Sequence, residues 1–131
     1  MPATHEGDPQ ILVFGRDWKY SFTLFEADGV TPLAVDSGAD KLKLRVWATD
    51  GASPAFYADN DASTPSTLSI DVAGTAGVTS AVVTAHLHRT DTDSLTVGTQ
   101  YYGELTLDDA SDSHKIKSLC KFPITVIGTA T

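Results

Sequence analysis

The 131-residue sequence contains one cysteine, Cys120, and no long run of apolar residues. A single cysteine excludes an internal disulfide and any zinc site built from several cysteines. A membrane-spanning helix needs roughly 20 consecutive apolar residues, and the longest apolar runs here are only a few residues. The amino-terminal MPATHEGDPQ has no basic region leading into an apolar stretch, so it does not predict a secretion signal. We therefore expect no membrane partner.

Positive charge is also scarce, with 9 Lys and Arg against 17 Asp and Glu and a formal net charge of −8 at pH 7. Proteins that bind nucleic acid neutralise phosphates with clustered basic side chains, so no nucleic-acid partner is expected. The acidic residues fall mostly in presumptive loops, whereas several basic residues alternate with apolar ones inside strand-like segments. This division is typical of an all-β protein with polar outward faces.

No window of eleven or more residues carries a convincing helical stripe, so helix should be minor. Apolar residues instead recur at every second position, as in a half-buried strand. The pattern gives seven or eight strands about ten residues apart, separated by turn residues such as Asp28-Gly29, and it predicts a β-sandwich. The residues expected to face the core include Phe22, Leu24, Leu42, Leu44, Val46, Leu68, Ile70, Val72, Val83, Ala85, Leu87, Tyr101, Leu105 and Leu107.

The amino terminus differs from the rest of the chain. Residues 1–10 contain Pro2, Gly7 and Pro9 and almost nothing apolar, which predicts a flexible arm. Order is expected to begin near Ile11, so that residues 11–131 form one domain of a size that can bury a core without a disulfide or metal.

Two histidines are the first candidates for chemistry. His86 and His88 lie two apart in the strand-like segment SAVVTAHLH, so both point outward. Two imidazoles at this spacing can share a zinc or copper ion if a neighbouring strand or loop supplies a third ligand. The candidate third ligands are Asp91, Asp93, Glu104 and His114. No Glu or Cys at a motif-like spacing completes the set, so two solvent-facing histidines are the favoured interpretation and no metal or cofactor is predicted.

Other catalytic and ligand-binding patterns are missing. The sequence has no Gly-x-Ser-x-Gly motif, and GTAG at residues 74–77 is too short to cradle phosphate. The acidic segments 59–64 and 108–112 lack the glycine and the distal glutamate of an EF-hand. We therefore expect a protein that is not an enzyme.

Three aromatic residues are the candidate interaction site. Alternation places Trp47 on an outward face, and Phe56 and Tyr57 fall in a long, weakly patterned segment rich in Gly, Pro, Ser and Asp. Exposed aromatic residues are enriched at protein interfaces. In the alternative arrangement, the long loop folds over Trp47 and buries it.

Several motifs recur in an order that resembles a known family. The segment beginning GRDWKYSF is followed by an Asp-Gly turn with Pro32-Leu33, then by DTDSLTVGTQYYGELTLDD and by ITVIGTAT. This order resembles the immunoglobulin-like modules of tailed-bacteriophage virion proteins. Over residues 11–131 it is similar to the amino-terminal domain of phage baseplate upper proteins and to small stand-alone phage structural proteins.

The resemblance implies an immunoglobulin-like antiparallel β-sandwich of seven or eight strands with a structural role in the virion. Baseplate upper proteins continue into further domains, whereas this sequence ends at Thr131. We therefore expect a capsid decoration or tail-surface accessory module, with a baseplate or tail component and a carbohydrate-binding module as alternatives. Its expected partners are other virion proteins, such as major capsid or tail proteins. The protein could also form a homo-oligomer. Its expected location is the virion, after synthesis in the host cytoplasm.

Overall fold

The computed structural model describes residues 5–6, 9–26, 28–36, 38–48, 54–60, 65–110, 113 and 115–128. This part of the chain contains nine strands and one short helix, α1 (Arg89–Thr92), which lies between the seventh and eighth strands. The strands are β1 (His5–Glu6), β2 (Gln10–Val13), β3 (Trp18–Thr23), β4 (Lys41–Ala48), β5 (Phe56–Asp59), β6 (Thr67–Val72), β7 (Val82–Leu87), β8 (Gln100–Asp109) and β9 (Lys115–Ile127).

The strands hydrogen-bond in the order β1-β9-β8-β4-β5-β6-β7-β3, and β2 also pairs with β9. Strands β5 and β6 share a single residue pair, Asp59 with Thr67. This pair joins two layers, a front sheet of β1, β2, β9, β8, β4 and β5 and a back sheet of β6, β7 and β3. The order β9-β8-β4-β5 opposite β3-β7-β6 is the G-F-C-C′ against B-E-D arrangement of immunoglobulin folds.

Alternation along the strands builds the core between these layers. Leu42, Leu44 and Val46 of β4 are fully buried, as are Ala85 and Leu87 of β7. Residues of both sheets belong to one contiguous hydrophobic cluster. The predicted all-β immunoglobulin-like sandwich is therefore confirmed, and helix is minor, as expected.

A glycine makes room for the aromatic ring that joins the two layers. Gly103 of β8 lies opposite Phe122 of β9, and a Cβ atom at Gly103 would lie 2.5 Å from the Cζ atom of Phe122. The Phe122 ring centroid lies 5.7 Å from that of Phe22 and 6.2 Å from that of Trp18, both on β3. The absence of a side chain on the front sheet thus lets Phe122 reach the back sheet.

The front sheet is mixed and not purely antiparallel, because β1 and β2 both run parallel to β9. Residues from the predicted flexible arm take part: His5 pairs with Cys120, and Gln10 pairs with Ile124. A long strand such as β9 carries main-chain donors and acceptors on both sides, and buried ones need partners. Pro123, which has no N–H to donate, lies between the part of β9 that pairs with β1 and the part that pairs with β2.

One predicted core residue lies outside the core. Val72 is 43% exposed, although alternation from Leu68 and Ile70 places it inward. The pairing of β6 with β7 shifts register between Ile70 and Val72. Such an irregularity adds a residue to one strand and turns the following side chain to the other face.

The contact between Gly103 and Phe122 can be tested by adding a single methyl group. Gly103→Ala should lower the free energy of unfolding by about 1–3 kcal/mol, because the new Cβ atom overlaps a ring that is already packed. Urea titration of both proteins measures this difference. Gly128→Ala is the matched control, since a Cβ atom there meets nothing within 4 Å. Equal effects of the two substitutions would contradict the proposed role of Gly103.

Candidate functional site

The two histidines lie in a polar cluster where the turn before β3 meets the start of α1. His86 Nε2 lies 2.9 Å from Oδ2 of Asp17, and the Arg89 amide donates to Oδ1 of Asp17 at 2.7 Å. His88 precedes α1, and its Nδ1 accepts a hydrogen bond from the Thr90 amide at 3.1 Å. Within the described ranges, no group of three or more His, Cys, Asp or Glu side chains is arranged to hold a metal ion. The His86 side chain thus joins two distant parts of the chain, and the His88 side chain caps α1.

The same cluster lowers the pKa of a carboxyl group. The hydrogen bond with the His86 side chain and the hydrogen bond from the Arg89 amide together hold the pKa of Asp17 below its ordinary value of 3.8. The carboxylate form of Asp17 is therefore favoured in the folded protein.

A tyrosine corner fixes the connection between β7 and β8. The hydroxyl of Tyr101 accepts a hydrogen bond from the Thr96 amide at 2.8 Å, and Leu95 is buried beneath this connection. The Thr92 hydroxyl donates to the carbonyl of Arg16 at 2.8 Å. A tyrosine near the start of strand F that bonds to the backbone upstream is a hallmark of immunoglobulin-like sandwiches. Leu95 and Tyr101, two residues of the family-like motif, are thus structural.

The outward-pointing side chains of β5, β4, β8 and β9 form a surface that we call the front face. Trp47 and Tyr102 lie opposite each other in register, and their rings stack with centroids 6.3 Å apart. The Lys121 ammonium lies 4.4 Å from the ring centroid of Tyr102, and the Lys43 ammonium lies 4.4 Å from that of Tyr57. Cations over aromatic faces are attracted by the ring quadrupole, so these side chains hold one another in place.

Polar contacts continue across the front face. Arg45 Nη1 donates to the Thr106 hydroxyl at 3.0 Å, and the Ser118 hydroxyl donates to Oε2 of Glu104 at 3.1 Å. In the register of the strands, Arg45 lies directly opposite Glu104. Basic and acidic side chains therefore sit side by side at the middle of the surface.

A shallow depression opens beside these residues. It has a volume of about 220 Å³, and its lining includes Lys41, Arg45, Asp59 and Asp108. Charged groups of both signs thus surround a space large enough for a few ligand or partner atoms.

The three predicted interaction residues differ in how far the structure exposes them. Tyr57 is 37% exposed on the front face. Trp47 lies on the same face, but its stacking leaves it half-buried, and its indole N–H is buried without a hydrogen-bond partner among the described residues. The prediction that Phe56 is an interaction residue needs correction: it is only 9% exposed and belongs to the core, because strand alternation turns it inward. Residues 49–53 and 61–64 of the long loop lie outside the described residues.

No family model and no curated protein matches this chain. Among solved structures, the chain is similar to AggA, the major subunit of aggregative adherence fimbriae type I from Escherichia coli. The two share 11% sequence identity with a TM-score of 0.35, over 92% of this chain and 90% of that chain. No helix in the described part of the chain is long and apolar enough to cross a membrane.

A second opening lies between the two sheets, where the edge of β3 faces β9. It has a volume of about 300 Å³, and its lining includes Tyr20, Phe22, Leu119 and Phe122. Among the described strands, β3 pairs only with β7, so this opening runs along a free strand edge. Exposed Lys19 on β3 is the kind of residue that discourages a second strand from adding there.

The side chains of the front face can therefore stack against a ligand or partner, form ion pairs with it, and donate or accept hydrogen bonds. Tyr, Trp and Arg are enriched at protein interfaces, and this surface presents all three. Sequence alternation assigned Lys43, Arg45 and Tyr102 to outward positions. It gave no indication that the cations cover aromatic rings, because each such contact joins different strands.

The polar cluster predicts a pH dependence. Replacing Asp17 with Asn should lower stability at neutral pH, because a neutral amide accepts weaker hydrogen bonds from His86 and from the Arg89 amide than a carboxylate does. A carboxyl whose folded pKa is depressed stabilises the protein above its unfolded pKa of about 4. That contribution disappears as the pH falls through the folded pKa. Urea titrations from neutral pH to below pH 3 should therefore show the difference between wild type and Asp17→Asn shrinking in acid.

Asp93→Asn is the control for this measurement. Asp93 lies in the same corner of the fold, and its carboxylate accepts no hydrogen bond among those found in the described residues. A difference between wild type and Asp17→Asn that stays constant across the acid range would contradict the assignment.

Proposed function

We propose that this chain is a non-enzymatic structural module of a bacteriophage virion, a capsid decoration or tail-surface accessory protein. The front face carries the proposal, because it presents exposed Tyr57 beside Arg45 and a stacked Trp47-Tyr102 pair on an ordered sheet. In this proposal, the front face makes protein-protein contacts within the particle. The order of the family-like motifs supports the assignment to a virion, and it does so independently of the front face.

A small sandwich present in many copies can bind a particle firmly through individually weak contacts, because neighbouring sites raise the effective concentration. Strand pairing of His5–Glu6 and Gln10 with β9 leaves less of the amino terminus free to act as a tether. The front face is therefore a better candidate for docking than the arm.

Quantitative mass spectrometry of purified particles tests the virion assignment. We expect the protein to be present in many copies per particle, because a decoration or surface module follows the repeat of the lattice that it covers. Its absence from particles that are infectious and intact would contradict the proposal.

Incorporation of variants tests the docking face. Tyr57→Ala should reduce the number of copies per particle by about tenfold or more, corresponding to about 1.4 kcal/mol of lost contact energy per site. Val72→Ala is the control, since Val72 is similarly exposed but lies on the back sheet. Unchanged incorporation of folded Tyr57→Ala would exclude a docking role for Tyr57.

Carbohydrate binding is the second candidate function, and the depression beside the Lys43-Tyr57 contact favours it. A sugar ring could stack on Tyr57 once Lys43 moves aside, and Arg45 and Asp59 could hydrogen-bond its hydroxyl groups. Trp47 contributes little in this arrangement, because Tyr102 already covers it. Isothermal titration against surface glycans of candidate hosts should then show binding that Tyr57→Ala abolishes. Binding unaffected by Tyr57→Ala would rule out this site.

A further inference from the structure

The charges of the molecule are unevenly distributed. The front face holds four basic residues, Lys41, Lys43, Arg45 and Lys121, and three acidic ones, Asp59, Glu104 and Asp108. Among the other residues whose side chains the structure describes, nine are acidic and five are basic. The front face is therefore nearly neutral, while the rest of the described molecule has an excess of negative charge.

This distribution limits how two copies can meet. Two surfaces of the same sign repel each other over about 10 Å at 0.1 M salt, so contacts between the acidic surfaces are disfavoured. A contact between two front faces brings both signs together and keeps the other described acidic residues of the two copies apart. Charge alone thus favours the front face as the place where a second copy binds.

The front face also has the composition of an interface. Tyr57 is 37% exposed and Ile116 is 63% exposed, and both lie on this surface. The cation-π contacts of Lys43 and Lys121 and the stacking of Trp47 already order its side chains. Less side-chain entropy is therefore lost when a partner binds.

The strand register makes this surface complementary to itself. One row across the sheet reads Tyr57, Arg45, Glu104, Lys121. Consider a two-fold axis that lies in the plane of contact, runs parallel to the strands and passes midway between β4 and β8. This axis places each row against the same row of the second copy, with the order of residues reversed. Arg45 then faces Glu104 of the second copy, and Tyr57 faces Lys121 of the second copy.

The neighbouring rows follow the same rule. Lys41 lies opposite Asp108 within the sheet, so the same axis places Lys41 against Asp108 of the second copy. Trp47 likewise meets Tyr102 of the second copy, since these two residues form the central pair of their row. Two-fold contacts are isologous, so every such pair occurs twice.

We propose that two copies of this chain form a symmetric dimer through their front faces. This inference rests on the proposed docking function, in that it names a second copy as the partner at the same face. It adds a definite pairing, Arg45 with Glu104 of the second copy, that other partners of the front face do not require.

Sedimentation velocity of the purified full-length chain tests the dimer, from micromolar to millimolar concentration. Wild type should form dimers that weaken as salt is raised, because ion pairs at the surface are screened. Arg45→Glu places two like-charged pairs in the contact and should raise the dissociation constant by about tenfold or more. Glu104→Arg should have the same effect. Lys19→Glu, the matched charge reversal on β3, should leave the dimer unchanged.

Mixing the two variants gives the decisive result. In an equimolar mixture of Arg45→Glu and Glu104→Arg, each reversed residue faces an opposite charge on the other chain, so a heterodimer should form. A change within one chain that merely disturbs its fold cannot be rescued in this way. Near-ultraviolet circular dichroism checks that both variants are folded.

Three outcomes would overturn the dimer: wild type that stays monomeric throughout, dimers that tolerate Arg45→Glu, or folded variants that fail to rescue each other. These outcomes are independent of the virion assignment. A monomeric protein found in particles would exclude only the dimer, whereas a dimeric protein absent from particles would exclude only the proposed location.

Discussion

The packing of Phe122 over Gly103 is the contact on which the rest of the structure depends. It brings the ring of a front-sheet residue against Trp18 and Phe22 of the back sheet, so that the two layers enclose one core. It also fixes which way β8 and β9 face. Because side chains alternate along a strand, an inward Gly103 requires an outward Tyr102 and Glu104. The front face is therefore a consequence of how the core is packed.

The same alternation explains how much of the fold the sequence predicts. The inward residues of β4 and β7 follow a strict period of two, and the structure buries them as expected. Val72 departs from the pattern because a register shift in β6 depends on the partner strand. The parallel pairing of β1 and β2 with β9 escapes prediction for a related reason: its partners are more than 100 residues apart in sequence. A local pattern reveals the faces of a strand but not its neighbours.

This limit is sharper for the candidate sites. The sequence predicts that His86 points outward. It does not reveal the partner of His86, because Asp17 is 69 positions away in the chain. The sequence predicts that Trp47 is an exposed interaction residue, and only the pairing of β4 with β8 shows that Tyr102 covers it. Phe56 reads as a loop residue because β5 is short and surrounded by turn-forming residues. For these residues, the sequence indicates the residue type and, in a regular strand, the face of the sheet. The role depends on a contact with a residue of another strand or loop, which a local pattern does not reveal.

The acidic character of the chain and the composition of the front face have a joint consequence. A net charge of −8 keeps copies of the protein apart in most orientations. The rows of the front face, in which Arg45 lies beside Glu104 and Lys41 beside Asp108, provide a surface where this repulsion is weaker. Specificity of assembly then needs no large apolar patch, since the disfavoured orientations are excluded by charge. The polar cluster around Asp17 and the tyrosine corner stabilise the fold elsewhere, so the proposed contact at the front face does not compete with them.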